Sequence, residues 1–344
     1  MAQQHLPATA PAGAGPEAEP AVLAELADAA LGLWPIGGEP TARLVNLSEN
    51  ATYAVTGAAD GRRYALRLHR PGYHSHAAIA SELAWAQALR GSGVVSAPVP
   101  VPGRDGALIQ SLGHPALAAP RALVLFDWET GAEPVIGNDL SRLFGTLGGL
   151  AARMHRHARH WPRPPGFTRL TWDFETSLGE TAPHWGRWRD GLGLTPDAEA
   201  LFGRTVALIG RRLAAYGAGP ERFGLIHGDL RLANLLVDGD AVKVIDFDDC
   251  GFGWFMYDAA TPVSFHEEAP QVPGLIAAWI DGYRQEAPLA AADAAEIPTF
   301  VMLRRLLLVA WIASHAETEL AQSMGAPYTE GTAALCDAYL GRFA

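Results

Sequence analysis

The sequence predicts an α+β protein in two parts: a small antiparallel β-rich part carrying one helix, then a larger, mainly helical part. Three observations carry this reading. From Ala42 to Asp127 the apolar residues come in short runs broken by turn residues. Beyond Gly131 they recur every three and four residues over long stretches. The chain has 344 residues, 49% of them hydrophobic, with ten Trp and twelve Phe, which suits one large domain or two lobes.

Each element has its own signal. Met1 to Pro20 is rich in Ala, Pro and Gly and reads as a disordered tail, with too little apolar surface to offset the entropy of ordering. A helix is expected over Ala21–Leu33. The runs Leu44–Leu47, Ala51–Thr56 and Arg63–His69 read as strands, separated by Ser48-Glu49-Asn50 and by Ala58–Gly61, whose Asp-Gly pair marks a hairpin turn. His76–Leu89 places Ile79, Leu83, Ala86 and Leu89 on one helical face. Gly106–Ser111 and Arg121–Asp127 complete the β-rich part, so the expected divisions are 1–20, 21–127 and 128–344. Leu140, Leu143, Phe144, Leu147, Leu150, Ala151 and Met154 then mark an amphipathic helix. Further helices are expected over Pro196–Tyr216 and Ile297–Glu319, with strands at Gly224–His227, Leu235–Val237 and Val242–Phe247 between them.

Composition narrows the function. The formal charge of −11 argues against a surface built for nucleic acid or anionic lipid, which needs clustered Lys and Arg. Cys250 and Cys336 are too few for a disulfide scaffold and fit a reducing compartment. The first residues lack the basic and apolar regions of a signal peptide, and the apolar run Leu306–Ala313 is too short to span a bilayer. The expectation is a cytoplasmic protein with no membrane or nucleic-acid partner, whose oligomeric state the sequence does not specify.

One segment carries chemistry. Leu225-Ile226-His227-Gly228-Asp229-Leu230-Arg231-Leu232-Ala233-Asn234 is followed by Val244-Ile245-Asp246-Phe247-Asp248-Asp249. These polar residues sit between apolar strands, where an unpaired carboxylate is costly. A hairpin through Asp238-Gly239 brings Asn234 and Asp246 to the same end, so three oxygen-bearing side chains converge on one loop edge. Phosphoryl transfer from ATP needs such a set, because the protein mainly positions groups and neutralises charge. Asp229 takes the acceptor hydroxyl's proton, Asn234 and Asp246 suit Mg²⁺, and Arg231 supplies a cation near the transferred group.

The H-x-D-x-x-x-x-N spacing followed by an Asp-Phe turn resembles the catalytic and metal-binding loops of the protein-kinase-like superfamily. With Gly228 after the histidine, the nearer resemblance is to the aminoglycoside phosphotransferase family, which includes choline, homoserine (type II) and hydroxylysine kinases. The resemblance runs from about Leu44 to Asp258. It implies a kinase-like two-lobed fold, with ATP between the lobes, and Asp229 as base with Asn234 and Asp246 as metal ligands. Asp248 stands at the usual glycine of the metal turn as a further carboxylate, and Asp258 braces the catalytic loop. It also implies that Ala65 covers the adenine, that Arg67 meets the phosphates and pairs with Glu82, and that Val124 to Gly131, with Phe126 and Trp128, form the adenine-reading hinge. Asn46-Leu47-Ser48-Glu49-Asn50 covers the phosphates without glycines, Ser48 or Asn50 offering donors instead.

Other residues have blander readings. His155, near His157 and His160, reads as a helix-end histidine rather than a metal ligand, since no acidic or Cys partner accompanies it. His227 reads as a loop-holding residue and Cys250 as packing. Trp172, Trp185 and Trp188 read as core, with a substrate wall as the lesser alternative. Candidate substrate-facing residues are Trp254, Tyr257, His266, Glu267 and Arg304. The expected acceptor is a small hydroxylated molecule: an amino alcohol, a hydroxy amino acid, or an aminoglycoside drawn to Asp248, Asp249, Glu267 and Glu268. A silent nucleotide-binding pseudokinase and a protein Ser/Thr kinase are the alternatives. Retention of all three site residues weighs against the first, and the missing Ala-Pro-Glu segment against the second.

Overall fold

The computed structural model describes residues 20–48, 50–135 and 140–344, so the tail expected over 1–20 lies, Pro20 apart, outside the described residues. The described residues fall into two compact units: those up to Leu83 with Pro98–Glu129, and Ala84–Ala97 with those from Thr130 to Ala344.

In the first unit, five strands form an antiparallel sheet: β1 (Thr41–Leu47), β2 (Ala51–Thr56), β3 (Tyr64–Leu68), β4 (Gln110–Leu112) and β5 (Arg121–Asp127), in the order β1-β2-β3-β5-β4. The two-residue period of a strand splits its side chains between two faces. Leu66, Leu68, Leu123 and Leu125 pack with Trp34 and with Leu23, Leu26 and Ala30 of α1 (Pro20–Ala30). Ala65, Val124 and Phe126 pack with Ile79 and Leu83, on α2 (His76–Gly91). The register sets Ala65 against Phe126 and Arg67 against Val124.

The second unit is built on long helices: α3 (Ser141–His160), α5 (Pro196–Tyr216), α6 (Val272–Glu286), α7 (Ala291–Ser314) and α8 (Glu319–Phe343), with a short α4 (Phe174–Leu178) before α5. A three-stranded sheet orders β6 (Leu170–Trp172), β10 (Gly251–Trp254) and β7 (Phe223–Ile226), and β8 (Leu235–Asp238) pairs with β9 (Ala241–Val244) as a hairpin. β6, β10 and α4 were not foreseen. β10 is Gly-Phe-Gly-Trp, and glycine carries no strand preference. Its glycines serve approach instead: a Cβ on Gly251 would strike the Leu170 carbonyl, and one on Gly253 the Ile226 side chain.

Several expected ends shift: the strand expected over Gly106–Ser111 begins only at Gln110 and runs to Leu112, and the one expected over Leu44–Leu47 begins at Thr41. The strand expected over Val242–Phe247 stops at Val244, because Asp246 takes a left-handed φ of +60° that extended pairing cannot accommodate. The helix expected over Ile297–Glu319 runs from Ala291 to Ser314 with Pro298 inside it. It ends where His315 leaves helical geometry, and the Thr318 hydroxyl accepts the Ala321 N–H to start α8. Taken whole, α7 is long and apolar enough to cross a membrane, yet 78% of its most apolar stretch is buried inside the protein.

α3 and α6 meet backbone to backbone. A Cβ on Gly148 would overlap the Trp279 carbonyl oxygen, and one on Gly282 the Gly145 carbonyl oxygen. Neither backbone can yield without parting the helices that carry Phe144, Leu147 and Trp279 into the core. Gly148→Ala should therefore lower the unfolding free energy by about 3 kcal/mol, the upper range for overpacking. Urea unfolding measures this; a loss under about 0.5 kcal/mol would show that the crossing is looser than described.

Candidate active site

The loop between β7 and β8 holds Asp229, and its shape is imposed by its neighbours. Gly228 has φ +80°, and a Cβ there would press on the Asp249 carbonyl oxygen at 2.8 Å, so glycine is required between the histidine and the aspartate. Asp258, wholly buried in the turn Phe255–Ala259, accepts the N–H of His227 at 3.1 Å and of Gly228 at 2.9 Å. The Thr261 hydroxyl accepts the N–H of Leu230 at 3.0 Å. Both aspartate oxygens of Asp258 are thereby used to hold backbone.

Two buried histidines complete this brace. The Asp229 N–H donates to Nδ1 of His227, so the ring's proton lies on Nε2, which donates to the Ile245 carbonyl at 3.3 Å. Nε2 of His155 lies 3.0 Å from Asp258 Oδ2 and Nδ1 lies 3.2 Å from the Tyr283 hydroxyl. His155 is thus a core residue within α3, not at its end, and the partner that sequence inspection missed is Asp258 from about a hundred residues away. Burial holds both imidazoles below the usual histidine range, so they are neutral.

Asp229 itself is buried and tightly held. Its Oδ2 accepts Nδ2 of Asn234 at 2.7 Å and Nε of Arg231 at 3.1 Å; its Oδ1 accepts Nη2 of Arg304 at 2.5 Å. Burial pushes its acid form up, but the opposing charges of Arg304 and then Arg231 win, holding the carboxyl below its ordinary range. Arg304 projects from α7, 75 residues beyond Asp229, and also reaches the hydroxyls of Tyr257 at 3.1 Å and Ser264 at 3.2 Å. Burial pushes the Tyr257 phenol up to about 12.

Asn234 spends its amide N–H groups on the Asp229 carbonyl and carboxylate, which turns its Oδ1 away from Asp229. The Ile245 N–H donates to the Asn234 carbonyl at 2.9 Å, extending the β8–β9 pairing and setting Asp246 beside Asn234. The left-handed turn at Asp246 is pinned by Phe247, whose ring packs on His227 and edge-on to Trp85. Asp248 is buried, and its carbonyl accepts from Arg169, which also donates to the Cys250 carbonyl at 2.6 Å. The indole of Trp172 donates to the Asp249 carbonyl at 2.8 Å. Among the described residues no three His, Cys, Asp or Glu side chains cluster to hold a metal. The oxygen donors present are an amide and a carboxylate, which fit a hard divalent ion completed by phosphate oxygens and water.

In the first unit, Arg67 and Glu82 form a buried pair at 2.8 Å, not a surface one. The Arg67 guanidinium also lies 5.3 Å from the centre of the Phe126 ring. Ser48 accepts from the Asn46 amide at 3.3 Å, and Oδ1 of Asn50 accepts the Arg70 N–H at 3.0 Å. Trp128 follows β5, its ring under the Arg63 guanidinium. The substrate candidates separate. Trp254 bonds Gly217 and packs on Phe300, in the core; His266 is exposed; Glu267 is paired with Arg305 at 2.8 Å; Arg304 alone of these candidates bonds Asp229, and Tyr257 accepts from Arg304. Trp172, Trp185 and Trp188 are buried, and Trp185 faces Arg304 at 5.0 Å. Arg169 and Thr261, which hold the loops by backbone contacts, carried no sequence signal.

A buried aspartate hydrogen-bonded to an asparagine five residues on, with a second aspartate just past the next hairpin, sits in the helical part of a phosphotransferase with a kinase-like fold. The chain belongs to the phosphotransferase enzyme family, whose model matches residues 41–292. It is 44% identical to a microcompartment-associated aminopropanol kinase, with a TM-score of 0.85 over 92% of this chain and 98% of that one. It is 24% identical to the amicoumacin kinase of Bacillus subtilis (strain 168) over 76% of this chain and 77% of the relative. An amicoumacin kinase solved with AMP-PNP, Ca²⁺ and Ami is 23% identical, with a TM-score of 0.72 over 92% of each chain. The protein is thus a small-molecule kinase.

The neutral histidines give the site a pH signature. Their folded pKa lies below the unfolded value of about 6.5, so below that pH the unfolded chain binds more protons. Stability should be full above about pH 6.5 and fall below it, at up to about 1.4 kcal/mol per pH unit for each histidine. Urea midpoints from pH 7.5 to 5.5 test this; a flat profile would contradict neutral burial.

Proposed function

We propose that this chain transfers the γ-phosphoryl group of ATP, with Mg²⁺, to the hydroxyl of a small amino alcohol in the cytoplasm. The observation that carries the reaction is Asp229, buried and ionised, bonded to Asn234 and flanked by two arginines. The amino alcohol class rests on the identity with the aminopropanol kinase across nearly the whole of both chains.

In this reading Asp229 receives the acceptor's hydroxyl proton and fixes the direction of attack. Asn234 Oδ1 and the Asp246 carboxylate would hold the divalent ion, with Asp248 as a further carboxylate; when bound, the ion would neutralise charge on the phosphates. Arg231 adds positive charge beside the reacting group. Arg67, kept in place by Glu82, meets the phosphates, and Ser48 and Asn50 border them. Ala65, Phe126 and Trp128 frame the adenine. Asp258, His227, His155, Arg169 and Thr261 keep the loops in place without touching substrate.

The aminoglycoside alternative loses support at two of the four acids it would use. Glu267 bonds both Arg305 and the Tyr328 hydroxyl, and Glu268 bonds Arg305 at 2.9 Å, so one of these two charges is already offset before a polyamine arrives.

Phosphoryl transfer to a panel of amino alcohols, hydroxy amino acids and an aminoglycoside, followed by ³¹P NMR, tests the proposal. Aminopropanol should be the best class of acceptor, turnover should vanish on chelation, and Asp229→Asn should lower kcat about 1,000-fold. Preference for the aminoglycoside would refute the substrate class. Asp229→Asn at near wild-type rate would refute the assignment of the base.

A further inference from the structure

The side chain of Arg304 is only 3% exposed, and a guanidinium carries five N–H donors. Among the described residues three are used: Nε–H on Ser264, one Nη1–H on Tyr257 and one Nη2–H on Asp229. One donor on each terminal nitrogen is left with no protein acceptor. Idle donors on a buried cation are costly, and the faces of Trp185 and Tyr257 at 5.0 and 5.9 Å do not satisfy N–H groups lying in the guanidinium plane.

Asp229 has the opposite property. A carboxylate accepts about four hydrogen bonds, and Arg304, Arg231 and Asn234 supply three. One acceptor direction remains on Asp229 and two donors remain on Arg304, and these groups are in direct contact. The complement of one acceptor beside one donor is a hydroxyl group, which gives one hydrogen and receives another.

We propose that Arg304 is a second catalytic residue, donating an N–H to the oxygen of the acceptor hydroxyl while that hydroxyl donates its hydrogen to Asp229. The inference rests on the reading of Asp229 as the base. In the reaction the acceptor oxygen forms a bond to the γ-phosphorus. The bond from that phosphorus to the β–γ bridging oxygen breaks, its electron pair leaving with ADP. The hydroxyl proton passes to the Asp229 carboxylate and then to solvent. Arg304 gives up no proton; it steadies the oxygen as its O–H bond weakens. It sits on α7, outside the segment that carries the motif, so loop spacing does not reveal this contact.

Arg304→Lys separates this role from simple pairing, because lysine keeps the charge opposite Asp229 but lacks the planar fork. With aminopropanol and ATP, kcat should fall about 100-fold, the scale for losing one donor to a reacting oxygen. The KM for ATP should hold, and methylguanidinium should restore part of the rate of Arg304→Ala. Retention of kcat within about threefold in Arg304→Lys would overturn the proposal, since charge pairing alone then suffices. If the Arg304 single variants do not fold, Asp229→Asn/Arg304→Gln removes both charges together. Its acceptor affinity by calorimetry should be at least about tenfold weaker than that of Asp229→Asn alone; equal affinity would overturn the contact. Absence of wild-type turnover of aminopropanol would refute the substrate class only. The same ratios are then read on whichever hydroxyl compound the wild type phosphorylates.

Discussion

A carboxylate buried in protein must be held by charge and hydrogen bonds or it takes up a proton. Asp229 is the place where this constraint organises the second unit. Ionisation out of water costs several kcal/mol, and Arg304, Arg231 and Asn234 together offset it. Each of these partners has in turn to be placed. Arg304 requires α7 at a fixed height beside Tyr257 and Ser264. Asn234 requires the 3-10 turn Leu232–Asn234 and the hairpin behind it. The helices α3 and α6, pressed together at their glycines, hold His155 against Asp258 and so fix the loop from below.

Asp258 has a complementary task. It is buried and acts on the backbone N–H groups of His227 and Gly228, which gives the loop a shape that the local sequence does not favour. The left-handed residue Asp246 is a second imposed shape, held by Phe247 on one side and by the Asn234–Ile245 backbone bond on the other. Backbone strain concentrated beside a functional carboxylate is what a rigid, preorganised site requires.

Much of this was legible in the sequence, for definite reasons. The His-Gly-Asp and Asp-Phe segments stand out because their polar residues interrupt apolar strands. The Asp238-Gly239 turn fixes which residues share an end. Helices α3 and α5 were visible because their apolar residues keep a helical period. What sequence spacing does not carry is contact over distance. The sequence offers Arg304 as a substrate-facing candidate but not as the partner of Asp229, because 75 residues separate them and α7 is apolar around most of its circumference. Arg169 acts on carbonyl groups, which every residue possesses, so no residue type marks its target. β10 was hidden by its glycines, whose purpose is room for the Leu170 backbone and the Ile226 side chain. Residues 84–97 group with the second unit through contacts such as Trp85 with Phe247, which no local pattern announces.

The central claim is that one buried carboxylate faces the acceptor while the amide and carboxylate beside it face the metal and phosphates. A crystal structure with a non-hydrolysable ATP analogue, Mg²⁺ and aminopropanol measures this directly. The account predicts the acceptor oxygen within about 3.2 Å of an Asp229 oxygen, with the ion bound by Asn234 and Asp246. An acceptor hydroxyl turned away from Asp229, or an ion held by other side chains, would contradict it.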